Sequence, residues 1–121
     1  MDNIFKFEKL IVWQKSLDFI DYIYNLSEKF PLNERFGLQS QIRRSAVSIA
    51  LNIAEGSGRT TKKEFAKFLH DALGSLRESL TCLIISERRG FIIGKELLLG
   101  RTYATEISKM LYALIRTLRT T

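Results

Sequence analysis

The sequence holds one cysteine, one histidine and one proline in 121 residues. Each scarcity excludes something. A lone cysteine cannot form an internal disulfide. Cys82 sits in the apolar run Leu80 to Ile85, which predicts a buried thiol and not a reactive one. That usage fits a reducing compartment. A lone histidine, His70, leaves too few nitrogen and sulfur ligands for a zinc site of the usual kind. His70 and Cys82 are twelve positions apart, roughly 18 Å along one helix. They cannot act as nucleophile and base within one chain. The nearest arginine before His70 is Arg59, eleven positions upstream, so the close Arg–His spacing of small helical ribonucleases is absent too. Proline and glycine are helix breakers, and the shortage of both favours long uninterrupted helices. No apolar run nears the roughly 20 residues of a membrane span. The opening MDNIFKFEK lacks the apolar core of a secretory signal. The expectation is a single cytoplasmic domain over residues 1–121, with no cofactor, no metal and no membrane contact.

What remains is helical in pattern. Leu10 to Phe30 carries two neighbouring apolar stripes at spacings of three and four. One is Leu10, Trp13, Leu17, Ile20 and Tyr24; the other is Val12, Phe19, Ile23, Leu26 and Phe30. Two stripes predict burial against more than one neighbour. Pro31 ends this helix. A second helix is predicted from Glu34 to Glu55, with Asn33 as N-cap and Gly56-Ser57-Gly58 as its stop. Within it, SQIRRSAVSIALNIAEGSGR (Ser40 to Arg59) sets Ser45, Ala46, Ser48, Ala50 and Ala54 at helical spacing, so neighbours can approach closely. Thr61-x-x-Glu64 is a capping box that opens a third helix, ended by Arg88-Arg89-Gly90. A fourth runs from Lys95 to Leu118. No stretch alternates like a strand. Short turns make successive helices antiparallel, so the predicted fold is all-α, an up-down-up-down four-helix bundle.

The net charge is +6, and this topology sorts it by height. One end gathers Lys6, Lys9, Lys15, Arg59, Lys62, Lys63, Lys67, Arg116 and Arg119 against Asp2, Glu8, Glu55 and Glu64, a net +5. The other end nets +1 and the middle zero. Two helix N-termini point out at the basic end and add partial positive charge. Such a surface suits nucleic-acid phosphates, and it equally suits a solvated basic rim. Glu55 faces the negative end of its own helix dipole, which predicts a cation from another helix beside it: Arg116, Arg119 or Lys63. Arg43 and Arg44 point to different sides of their helix. Either one pairs with an acid while the other reaches outward, or one lies in a subunit interface. Ser48 and Asn52, four apart, suit a polar pair that satisfies itself and the backbone. The turn Gly56 to Lys63 lacks the G-x-x-x-x-G-K-[ST] spacing of a phosphate loop. No carboxylate pair stands out, and the chain is read as a non-enzyme.

The residues Ser40 to Arg59, S-Q-I-R-R-S-A-V-S-I-x-x-N-I-A-E-G-x-G-R, resemble the bacterial four-helix-bundle proteins linked to intervening sequences in 23S rRNA genes. Phe7 to Ser16 (F-E-K-L-x-V-W-Q-K-S) and Phe65 to Glu78 (F-x-x-F-L-x-x-A-L-G-S-L-R-E) agree with that family's first and third helices. Helix 4 agrees in pattern only. The resemblance implies a closed ring, a homopentamer. It extends to the accessory variability proteins of diversity-generating retroelements, which bind nucleic acid and a reverse transcriptase. It brings no catalytic residues. Five copies of a +5 end would set 25 positive charges on one rim.

The leading expectation is a non-enzymatic, ring-forming protein that binds nucleic acid, RNA rather than DNA, through Arg59, Lys62, Lys63, Arg116 and Arg119. Its recognition is electrostatic and weakly sequence-specific, and a partner protein is a further candidate component. The alternative is a scaffold whose basic surface meets an acidic partner protein without touching nucleic acid.

Overall fold

The computed structural model describes residues 5–119. Its four long helices are α1 (Ile11–Ser27), α2 (Leu38–Ser57), α3 (Lys62–Arg88) and α4 (Gly94–Arg119), with short 3-10 turns at Lys6–Lys9 and Leu32–Glu34. There is no strand among the described residues. Each helix packs on its two neighbours in the order α1, α2, α3, α4 and back to α1. Cross-helix pairs give the directions. Ser45 Oγ meets Ser79 Oγ and Ser48 Oγ meets Ser75 Oγ, both at 2.8 Å, so α2 and α3 run antiparallel. Tyr22 donates to the Glu96 carbonyl at 2.6 Å, and Lys15 pairs with Glu106 at 2.8 Å, so α1 and α4 do likewise. The bundle is up-down-up-down, as the apolar periodicity predicts.

The core is one cluster of aliphatic side chains with Phe19 and Phe30. Phe19, Ile23, Ile42, Ile49, Ile53, Leu69, Leu83, Ile107, Leu111 and Ile115 are essentially fully buried. Burying each such side chain contributes about 1.5–3 kcal/mol. All five members of the second stripe are in this core, Phe30 from beyond the end of α1, which stops at Ser27 short of the predicted Phe30. The first stripe is not. Leu17 is 38% and Tyr24 40% exposed, while Leu10, Trp13 and Ile20 only lean on the core. The bundle thus satisfies one stripe fully and leaves Leu17 and Tyr24 of the other against solvent.

Helix ends divide into matches and corrections. Thr61 is the N-cap of α3: its Oγ1 accepts from the Glu64 N–H at 3.1 Å and donates to the Glu64 carboxylate at 3.1 Å. After α3, Gly90 takes φ +78°, a conformation that costs other residues their β-carbon clearance. Helix α2 corrects the predicted start at Glu34 with an Asn33 cap. The chain makes a 3-10 turn over Leu32–Glu34, and α2 begins only at Leu38. The cause is the Glu34 side chain, whose Oε1 accepts the Leu38 N–H at 3.0 Å and so caps the helix from four residues upstream. The far end of α2 also differs. Gly56 does not stop the helix, which continues to Ser57 with Gly58 as C-cap. Gly56 is buried, and a β-carbon there would lie 2.7 Å from Phe68 Cβ. It is glycine because α3 is too close for anything larger.

The polar pairs within the bundle are satisfied. Asn52 donates to the Ser48 carbonyl at 2.9 Å and to Ser48 Oγ at 3.1 Å, the predicted pair, and Ser48 extends it to Ser75. Arg43 is the arginine that pairs. Its Nε donates to Ser27 Oγ at 2.8 Å, its Nη2 lies 3.2 Å from Glu28 Oε1, and its guanidinium sits over the Tyr24 ring at 4.6 Å. Arg44 is exposed. No helix among the described residues is long and apolar enough to cross a membrane.

Candidate nucleic-acid interface

The turn between α2 and α3 and the last turns of α4 meet at one end of the bundle. The turn carries Arg59, Lys62 and Lys63, and α4 carries Arg116 and Arg119; all five are exposed. Gly100 packs against Leu83, where a β-carbon would lie 2.5 Å from Leu83 Cδ1. In that antiparallel register Arg116 stands level with Lys67, and Arg119 with Glu64. The structure therefore places the five predicted residues, and Lys67 with them, on a common end.

Three details differ from expectation. Glu55 does have a cation beside it, but the partner is Arg59, with Nη2 to Oε2 at 3.0 Å. It is not Arg116, Arg119 or Lys63. The chain turns back at Gly58, so a residue just beyond the helix offsets the unfavourable dipole position. Lys15 belongs to the middle of the bundle, where its ammonium is hydrogen-bonded to Glu106 and its pKa is raised by that carboxylate. The N-terminus of α3 is less open than a bare helix end, because the Thr61–Glu64 box occupies it and adds a carboxylate. Even so, the described residues of this end carry Lys6, Lys9, Arg59, Lys62, Lys63, Lys67, Arg116 and Arg119 against Glu8, Glu55 and Glu64. That is eight cations against three acids, again +5.

Sequence reasoning missed Phe68. Its ring lies under the Arg59 guanidinium, 4.7 Å from Cζ to centroid, and Lys67 Nζ is 5.5 Å from the same centroid. The signal was available: Phe65 lies within the run Lys62, Lys63, Lys67 and Phe68 directly after it, and aromatics among cations mark nucleic-acid surfaces. Elsewhere the chemistry is sparse. His70 is exposed. Cys82 is buried, and that burial raises its pKa. Among the described residues no cluster of histidine, cysteine or carboxylates could hold a metal ion. An open cleft of about 620 Å³ lies at the opposite end, lined by Glu34, Phe36, Leu38, Gln41, Ile85 and Phe91 among others. Around it Leu32 and Phe36 are 81% and 90% exposed.

The sequence model of the family described as 23S rRNA-intervening sequence protein matches residues 8–113. The chain belongs to this family. A solved relative agrees in three dimensions: a protein of unknown function from the S23 ribosomal protein family of Bacteroides thetaiotaomicron. It is 33% identical, with a TM-score of 0.78 over 87% of this chain and 98% of that one. No curated protein matches the chain. Membership in the 23S rRNA-intervening sequence family establishes the four-helix fold and leaves activity to be argued from the surface.

Proposed function

We propose that this protein is a non-enzymatic, ring-forming RNA-binding protein whose basic bundle end docks on phosphates. One observation carries the reading. Among the described residues this end holds eight cations against three acids, and Arg59, Lys62, Lys63, Lys67, Arg116 and Arg119 stand exposed there on two adjoining segments. Phosphate contacts supply most sequence-independent affinity for nucleic acid, and clustered Lys and Arg are their footprint. Lys62, Lys63, Arg116 and Arg119 supply the charge, with Arg59 at the turn.

Ring formation draws on the outer seam of α1 and α2. In the register set by Arg43 and Ser27, exposed Leu51 of α2 stands within one helical turn of the height of exposed Leu17 of α1. Trp13, Ile20 and Tyr24 continue the apolar surface along α1. Exposed apolar surface of this kind, with Leu17 and Leu51 at its centre, marks an interface. The pentamer, and the likeness to accessory variability proteins of diversity-generating retroelements, come from the family resemblance. A ring would align every basic end on one rim. The second reading is a scaffold whose basic end meets an acidic partner protein without touching nucleic acid; the exposed apolar residues Leu32, Phe36 and Ile93 at the opposite end favour it by offering a further surface for protein contact.

The test is a variant with Lys62, Lys63, Arg116 and Arg119 all replaced by alanine. It should fold, assemble and lose most affinity for a structured RNA. If its affinity equals that of the wild type, the binding surface lies elsewhere. Light scattering on the same samples checks the ring, and a monomer at high concentration removes it.

A further inference from the structure

We propose that Arg59 is a stacking platform for an unpaired RNA base and not chiefly a phosphate ligand. The inference rests on the RNA-binding reading of this end and names the part of an RNA that it takes. Three observations define the setting of Arg59. First, its charge is already answered: Glu55 Oε2 lies 3.0 Å from Nη2. A phosphate arriving there would meet a carboxylate. Second, the guanidinium lies over the Phe68 ring, 4.7 Å from the centroid. Third, the side chain remains 40% exposed, so a ligand can reach it.

The platform is also braced. Phe68 is half-buried and its Cβ rests against Gly56, where no β-carbon fits. That contact fixes the base of the Phe68 side chain against α2. Arg59 is tied from a second direction by Glu55. A guanidinium is planar and weakly hydrated, and holding it in place beforehand reduces the entropy lost when a base stacks on it. Unpaired bases stack on such planes, whereas bases inside a duplex already stack on each other. Around this plane, Lys62, Lys63 and Lys67 are placed for the flanking phosphates, and Glu55 can accept a hydrogen bond from a base N–H. A surface so arranged favours loops and single strands over continuous helices. A bare cluster of lysines would make no such distinction.

The test uses the full-length protein and two RNAs, a hairpin with one 2-aminopurine in its loop and a blunt duplex of equal length. Wild-type protein should quench the loop fluorophore on binding. Arg59→Lys keeps the charge and removes the plane. It should abolish the quench and weaken hairpin binding about tenfold, while duplex affinity stays within about twofold. Circular dichroism confirms the helical content of the variant. If Arg59→Lys quenches like the wild type, or weakens both RNAs equally, the stacking assignment is wrong and Arg59 is an ordinary charge. The Lys62→Ala/Lys63→Ala variant should lose affinity for both RNAs. If it loses none, or if the wild type binds neither RNA, the electrostatic reading fails and takes the stacking with it.

Discussion

Replacing Gly56 by alanine tests the packing of α2 on α3, on which the basic end is mounted. The new β-carbon would sit 2.7 Å from Phe68 Cβ, 3.0 Å from Phe65 Cδ1 and 3.3 Å from the Phe65 carbonyl oxygen. Carbon atoms in ordinary contact are about 3.5–4.0 Å apart. The nearest obstacle is a β-carbon, fixed to its backbone, so no rotamer change relieves it. The two helices must part by roughly 1 Å at this level. Overpacking of this kind costs about 1–3 kcal/mol. Alanine returns about 0.5–1 kcal/mol through its better helix propensity. The net is a loss of about 1–2 kcal/mol, or about 5–10 °C in melting temperature for a chain of this size. Gly58→Ala is the control. Its β-carbon would meet only the Glu55 carbonyl at 3.7 Å, and φ is −89°, so its effect should stay within about 0.5 kcal/mol. Thermal melts followed by circular dichroism read both. If Gly56→Ala melts at or above the wild type, Gly56 is a chain stop after all and the close approach of Phe68 is wrong.

Other perturbations have equally definite outcomes. Arg43→Ala removes the bond to Ser27, the Glu28 pair and the contact with Tyr24, and should cost about 1–2 kcal/mol in a urea titration; Arg44→Ala should stay within about 0.5 kcal/mol. Tyr22 is held neutral by burial, with its pKa pushed up to about 12 from the usual 10.0. The folded state therefore keeps its proton where the unfolded chain releases it. Stability from this group is complete below pH 10, falls as the pH rises towards 12, and this part of the fall should vanish in Tyr22→Phe, as melting temperatures across that range will read. Cys82, buried and raised in pKa, should resist a thiol reagent at neutral pH in the native protein and react at once in denaturant. Leu17→Glu with Leu51→Glu should lower the mass seen by light scattering while leaving helical content unchanged, since both side chains already face solvent in the single chain.

Local signals that complete themselves within a few residues were legible in the sequence. The Thr61–Glu64 box, the Gly90 stop and the stripe Val12, Phe19, Ile23, Leu26 and Phe30 all stand where the spacing predicts. Misread features depend on partners distant in sequence or on a turn's path. Asn33 satisfies the rule for an N-cap, but the Glu34 carboxylate reaches Leu38 and displaces the start by a turn. A glycine near a helix end reads the same whether it stops the helix or admits a neighbour, and only Phe65 and Phe68 across the interface decide it for Gly56. Glu55 was rightly expected to need a cation. Which one depended on the reversal at Gly58, which brings Arg59 back. Sequence height alone sets Lys15 at the basic end, and Glu106 claims it for the middle of the bundle. The cation cluster itself was legible because it needs only topology. Its aromatic floor was not, because that needs the rotamers of Arg59 and Phe68.

The central claim is that the basic end binds RNA through its phosphates. A titration of wild-type protein against a structured RNA across a salt series tests it most directly. Neutralising some four or five phosphates per protomer predicts that log K falls against log salt with a slope of about −3 to −4. The slope should shrink towards zero when Lys62, Lys63, Arg116 and Arg119 are replaced by alanine. A flat salt response, or no binding near 100 mM salt, would contradict the claim and leave the basic end to an acidic protein partner.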